Sequence, residues 1–152
     1  MSETIFEALR EDHDRQRRLI EQLAQTEGDS EERRSLFDAL KSELAHHAAA
    51  EERHFYVPLI DSDLTQEKAR HSIAEHHEID ELVDELESMD MANGGWLKRA
   101  RHLFERVEHH LEEEEHEVFQ LAGKALTEAQ KRRLATDYTA AMKDARADAA
   151  HD

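Results

Sequence analysis

Two stretches of this chain carry the same pair, a His followed four residues later by a Glu, and the sequence around them repeats too. His47 and Glu51 lie in His46-His47-Ala48-Ala49-Ala50-Glu51-Glu52. His110 and Glu114 lie 63 residues further on, in His109-His110-Leu111-Glu112-Glu113-Glu114-Glu115. At that same offset, with no gap, His13 falls on His76, Leu19 on Leu82, Ile20 on Val83, Leu23 on Leu86, Leu40 on Leu103 and Leu44 on Val107. A duplicated helical hairpin is the simplest cause. On a helix, positions i and i+4 share a face one turn apart, so each His-x-x-x-Glu pair can aim two metal-binding groups at one point. Two such hairpins facing each other would bring His13, His47, Glu51, His76, His110 and Glu114 to a shared centre.

The hydrophobic pattern supports helices throughout. Phe6, Leu9, His13, Gln16, Ile20 and Leu23 form one stripe on a first helix over residues 3–26. Asp29 and Glu32 resemble a capping box for a second helix, whose stripe is Phe37, Leu40, Leu44, His47 and Glu51. That helix is expected to end near Tyr56, before Pro58. Asp63 with Gln66 is expected to cap a third, carrying Ala69, His76, Ile79, Val83 and Leu86. A fourth begins near Trp96, carries Leu103, Val107, His110, Glu114 and Val118, and meets a natural stop at Gly123. Thr127 and Gln130 open a fifth, with a thin stripe of Leu134, Tyr138 and Met142 suited to docking on the bundle side or to an interface. Short loops between long amphipathic helices imply an all-α, up-down-up-down antiparallel four-helix bundle with an additional C-terminal helix. Residues 1–126 read as the bundle and residues 127–152 as the appended helix and tail.

Composition narrows the chemistry. One Pro and four Gly leave little punctuation between helices, and the absence of Cys excludes disulfides, iron–sulfur clusters and thiolate zinc sites. Residues 127–152 are charge-balanced, so the whole net charge of −17 falls in residues 1–126. Such a surface repels nucleic acid and anionic lipid and attracts cations. No apolar run approaches a membrane span and no signal-peptide core is visible, so the expected location is the cytoplasm. There is no His-Glu-x-x-His, no phosphate-binding Gly loop and no G-x-S-x-G.

His and Glu on the inner face of a bundle are costly to bury without partners. A single His-x-x-x-Glu is usually a solvent-facing pair; four His and two Glu on inner stripes, duplicated at one offset, are not. A pair of divalent ions compensates them. Carboxylates can bridge two ions, imidazoles terminate them, and a mixed N/O set with open positions suits non-haem iron, with zinc the other fit. His46, His77 and His109 neighbour these residues and point about 100° away. His54, His71, His102, His116 and His151 read as ordinary. Glu52 and Glu115, at i+5, are the alternatives to Glu51 and Glu114.

These residues resemble the hemerythrin-like proteins with the His-His-Glu cation-binding domain. The resemblance rests on Asp12-His13, on His47 to Glu52 followed by Phe55-Tyr56 and Pro58, on Glu75-His76 followed by Ile79, and on His110-x-x-x-Glu114. It spans about residues 5–122. It implies a four-helix bundle with a non-haem di-iron centre, oxo- or hydroxo-bridged, with His13 and His47 on one iron, His76 and His110 on the other, and Glu51 and Glu114 bridging. Oxygen-carrying hemerythrins have a further His one turn before the helix 3 ligand, where this chain has Ser72. They also place the helix 4 carboxylate at the position of Glu115. The missing imidazole points away from reversible O2 carriage and toward reaction with peroxide, NO or O2. The expected function is therefore a di-iron protein that binds or reacts with such a small oxidant, in enzymatic form as a weak peroxide- or NO-reducing activity. The alternative is an iron or zinc buffer or sensor without catalysis.

Overall fold

The computed structural model describes residues 3–151. Five helical rods account for nearly all of it. The first is α1 (Ile5–Ala24); the second runs through α2 (Glu31–Glu51), a π-helical turn (Glu52–Tyr56) and α3 (Val57–Ile60). The third is α4 (Gln66–Ser88). The fourth combines α5 (Gly95–Glu113), a second π-helical turn (Glu114–Val118) and α6 (Phe119–Ala125), and the fifth is α7 (Glu128–His151). α1 packs beside α2 and α5, and α4 beside α5 and α2, closing an antiparallel four-helix bundle; α7 lies along α1 and α2. Among the described residues, no helix is long and apolar enough to cross a membrane.

Local chemistry sets the helix ends. Thr4 and Glu7 form a reciprocal capping box on α1. Gly28 takes the left-handed conformation (φ 60°) in the first turn, where a side chain would strain the backbone. Ser30, not Asp29, caps α2, accepting from the Arg33 amide, while Asp29 pairs with Arg34. The expected Asp63–Gln66 cap of α4 does not form either. Thr65 occupies the cap without a side-chain bond to the helix, its hydroxyl donating instead to the Leu59 carbonyl at 2.6 Å. Thr127 and Gln130 do cap α7 reciprocally, at 2.8 and 3.1 Å.

Two expected stops do not stop their helices. The second rod continues through Pro58 to Ile60. In the π turn before it, the Val57 amide reaches back to the Glu52 carbonyl. The widened turn relieves the carbonyl ladder that a proline ring strikes in a regular α-helix. Gly123 keeps a negative φ, and the fourth rod ends at Leu126, whose extended backbone breaks the run.

Two apolar clusters fill the bundle. One holds Leu9, Phe55, Leu59, Phe119 and, from α7, Tyr138 and Met142. The other holds Leu23, Phe37, Leu40, Trp96 and Leu103. At that second end the buried Arg33 guanidinium ties loops together, donating to the Thr26 hydroxyl and carbonyl and to the Met91 carbonyl while lying over the Trp96 ring. His13, His47, Glu51, His76, His110 and Glu114 form a polar layer on the inner faces of α1, α2, α4 and the fourth rod.

Candidate metal centre

All six residues are buried, and their inner atoms converge. Glu51 Oε1 lies 3.4 Å from His47 Nε2 and 3.1 Å from His76 Nε2, while Glu51 Oε2 lies 3.9 Å from His13 Nε2. Glu114 Oε1 lies 3.5 Å from His13 Nε2, and Glu114 Oε2 lies 3.2 Å from His110 Nε2. His76 Nε2 and His110 Nε2 are 3.1 Å apart. Two ligands about 2.1 Å from one ion stand about 3 Å apart at a right angle, so groups that pair with one another at these spacings are also placed to share an ion. The donor atoms fall into two groups, His13–His47–Glu51 and Glu51–His76–His110–Glu114, with Glu51 common to both.

A fit to metal can be read from the atoms left over. His13 Nε2, His47 Nε2, both oxygens of Glu51 and Glu114 Oε1 are buried without a hydrogen-bond partner among the described residues. Orphaned buried polar atoms are rare and costly, and here five share one centre. Cations satisfy lone pairs of this kind, and the imidazole–carboxylate set suits borderline divalent ions.

Each imidazole is also held from behind. His13 Nδ1 is 2.8 Å from Glu115 Oε2, and Glu115 is clamped by the Arg17 guanidinium. His76 Nδ1 is 3.1 Å from Glu52 Oε1, and His110 Nδ1 is 2.9 Å from Glu75 Oε1. His47 Nδ1 is 2.6 Å from the Tyr138 hydroxyl, which donates onward to Asp12 Oδ2 at 2.5 Å. Asp12 and Glu43 are both bound by Arg146 of α7. These acceptors hold a proton on each Nδ1 and turn each Nε2 inward, where a bound cation would take the place of a second proton. Glu52 and Glu115 therefore lie behind the rings, whereas Glu51 and Glu114 lie inside.

The 63-residue offset organises this outer layer as well. Glu52 of the first half holds His76 of the second, and Glu115 of the second, its counterpart, holds His13 of the first. Asp12 and Glu75 are also counterparts. Glu75 reaches His110 directly, whereas Asp12, one methylene shorter, reaches His47 through Tyr138. No periodicity in the chain signals the Tyr138 contact, because it joins residues 91 positions apart. Tyr56 is a further addition, its hydroxyl donating to Glu114 Oε2.

The local field favours positive charge. Burial opposes protonation of His13, but Glu114, Glu115 and Glu51 outweigh it and hold the imidazole well above its ordinary value. His76 is raised to about 9 and His110 to about 10, burial again being outweighed, by Glu51 and Glu52 for the first and by Glu114 and Glu75 for the second. Glu51 is held well below the carboxylate range against its burial, chiefly by His47. Glu115 is lowered to about 2 against its burial, by His13 and then Arg17.

A cavity of about 10 Å³ adjoins the centre, with room for about one water-sized molecule. His47, His76 and His110 line it together with Leu44, Ile79 and Val107, and the buried Gln16 amide, its Nε2 unpartnered, lines it from α1. The remaining histidines lie elsewhere. His71, His77, His102, His109 and His116 are exposed, His46 and His54 are half-buried, and the His151 side chain lies outside the described residues.

The family model of the hemerythrin HHE cation binding domain matches residues 4–122. A comparison with curated proteins finds no match. Among solved structures, the crystal structure of a hemerythrin HHE cation binding domain-containing protein from Mycobacterium kansasii is similar, with a TM-score of 0.89 and 24% identity. The match covers 98% of this chain and 91% of that one, so the likeness in fold extends past the family-matched segment into α7.

Proposed function

This chain belongs to the family of the hemerythrin HHE cation binding domain, and from that premise we propose that its buried His4Glu2 layer is a non-haem di-iron centre that binds or reduces a small oxidant. His13 and His47 would hold one ion, His76 and His110 the other, and Glu51 and Glu114 would lie between them. The orphaned inner atoms of His13, His47, Glu51 and Glu114 carry this reading. When bound, two iron ions supply redox electrons to O2, peroxide or NO.

The chain's own residues set the conditions. The four outer acceptors fix the tautomer and angle of each ring. Leu44, Ile79 and Val107 make part of the cavity wall apolar, the exposed Asp80 also lines it, and its small volume admits only a molecule of a few atoms. Gln16 presents an amide that can hydrogen-bond such a molecule, and the Tyr56 hydroxyl holds one oxygen of Glu114. Ser72, buried one turn before His76, supplies no imidazole, which leaves coordination free for the small ligand.

Metal content and the optical spectrum of protein purified without added metal or chelator test the proposal. About two irons per chain, with near-ultraviolet bands that change on adding peroxide or NO, support it. Two zincs would assign the chain to metal storage or sensing. No metal, and no change in melting temperature on adding iron, would overturn it.

A further inference from the structure

Outside the buried layer, α4 and α5 carry a second pair of His-x-x-x-Glu arrangements, His71 with Glu75 and His109 with Glu113, facing each other across the helix seam. His71 Nε2 lies 3.6 Å from Glu75 Oε2 and 3.3 Å from Glu113 Oε1, and His109 Nε2 lies 3.2 Å from Glu113 Oε2. Donor atoms of His71, Glu75 and Glu113 all lie within 4.8 Å of one another. We propose that His71, Glu75 and Glu113, with His109 at their edge, form a surface site for one divalent transition-metal ion, distinct from the buried centre.

The charge arrangement points the same way. Glu75 and Glu113 have side chains only 7% and 17% exposed, and among the described residues their charged partners are imidazoles alone. The comparably sheltered Glu115, Glu43 and Asp12 each have an arginine: Arg17 for the first, Arg146 for the other two. Two carboxylates sharing a seam without a fixed cation leave negative charge that a divalent ion can neutralise. Two imidazoles and two carboxylates are a donor set for zinc or ferrous iron.

The duplication supplies an internal control. At the 63-residue offset the counterparts of His71, Glu75 and Glu113 are Ala8, Asp12 and Ala50. Ala8 and Ala50 are buried in one cluster with Tyr138 of α7, and Asp12 there receives the Arg146 guanidinium at 2.7 Å. So α7 covers one face of the bundle and brings its own cation to Asp12. The related face is uncovered, and where the first has two alanines it has a His and a Glu. On that face a divalent ion would do for Glu75 what Arg146 does for Asp12. Glu75 would then hold the outer ion through Oε2 while Oε1 keeps His110.

The test is a Co(II) titration of the protein as purified with its buried metal, freed of loosely held ions by a weak chelator. One additional Co(II) per chain, with d–d absorption in the visible, is expected, the buried metal content staying unchanged. His71→Ala with Glu113→Gln should weaken that equivalent at least tenfold, and His71→Ala alone should weaken it measurably, with the circular dichroism spectrum preserved. His102→Ala, on an exposed His of the same helix as His109, should not. Absence of the extra equivalent, or its persistence in the double variant, overturns the proposal. The outcome does not depend on whether the buried metal is iron or zinc.

Discussion

At Asp12 the carboxylate ends one methylene short of its counterpart Glu75, and the Tyr138 hydroxyl spans the difference to His47. Replacing Tyr138 by Phe keeps the ring packed but leaves His47 Nδ1 without an acceptor. Losses of outer hydrogen bonds of this kind weaken metal binding by about 10–100-fold. We expect Tyr138→Phe to fall in that range in a competition titration while its fold is retained; unchanged affinity would mean that His47 is oriented by packing alone. A second expectation concerns protons. In chelator-stripped protein His76 and His110 titrate at about 9 and about 10, against 6.5 ordinarily. Their protonation stabilises the folded chain fully below that ordinary value, and the contribution is lost as pH rises through 9 to 10. Glu115, at about 2 against 4.5, acts in the opposite sense: its contribution is present above the ordinary value and is lost as pH falls toward 2. Thermal melts of stripped protein should therefore decline from pH 7 to pH 10 and again below pH 4.5. A flat profile over the alkaline range would contradict the arrangement around His76 and His110.

At the scale of the element, α7 determines how much of the centre's support comes from outside the bundle. Met142 is 1% exposed at the seam between α7 and the bundle. Met142→Lys would bury an unpaired ammonium there or lift α7 away, at a cost of about 2–4 kcal/mol. Denaturant unfolding should register the loss, and weaker metal binding should accompany it, because Tyr138 and Arg146 travel with the helix. α7 also marks a boundary of what sequence alone could tell. The inner stripe was legible because His13, His47 and Glu51 obey a helical period and repeat at a fixed offset. The outer partners were not, since Glu115 meets His13 from 102 positions away and no periodicity encodes which helix lies behind which. Pro58 and Gly123 were misread for a different reason. Local propensity says what a residue costs in a regular α-helix; the π-helical turn before Pro58 changes that cost, and Gly123, in a helical conformation with open space beside it, costs too little to end its rod. His71 reads as ordinary in the sequence and His109 as a neighbour of His110 pointing away from the centre; only their meeting across the seam at Glu113 makes them a cluster.

For the whole molecule, the polar layer lies between two apolar clusters, so metal bound there couples to global stability. An ion present at a thousand times its dissociation constant adds about 4 kcal/mol to the folded state. Stripping the metal should therefore lower the melting temperature, and restoring it should reverse the change. His47→Leu and His110→Leu should abolish the metal-dependent part of the shift. If either variant melted as high as the metal-loaded protein and still gained on metal addition, the layer would not be the site.

The exchange of carboxylates between halves, Glu52 to His76 and Glu115 to His13, bears on how the chain could be divided. A cut in the loop between Ile60 and Gln66 leaves a hairpin of the first two rods and a piece of three rods that includes α7. The first would carry His13 and His47 but lack Glu114, Glu115 and Tyr138; the second would carry His76 and His110 but lack both Glu51 and Glu52. Neither piece contains a complete centre, yet each contains what the other is missing. Expressed separately, the two pieces should be poorly ordered and weakly metal-binding alone, and should complement one another as a one-to-one heterodimer when mixed with metal. Covalent continuity would then be dispensable, and the ions would serve as the cross-link between two chains.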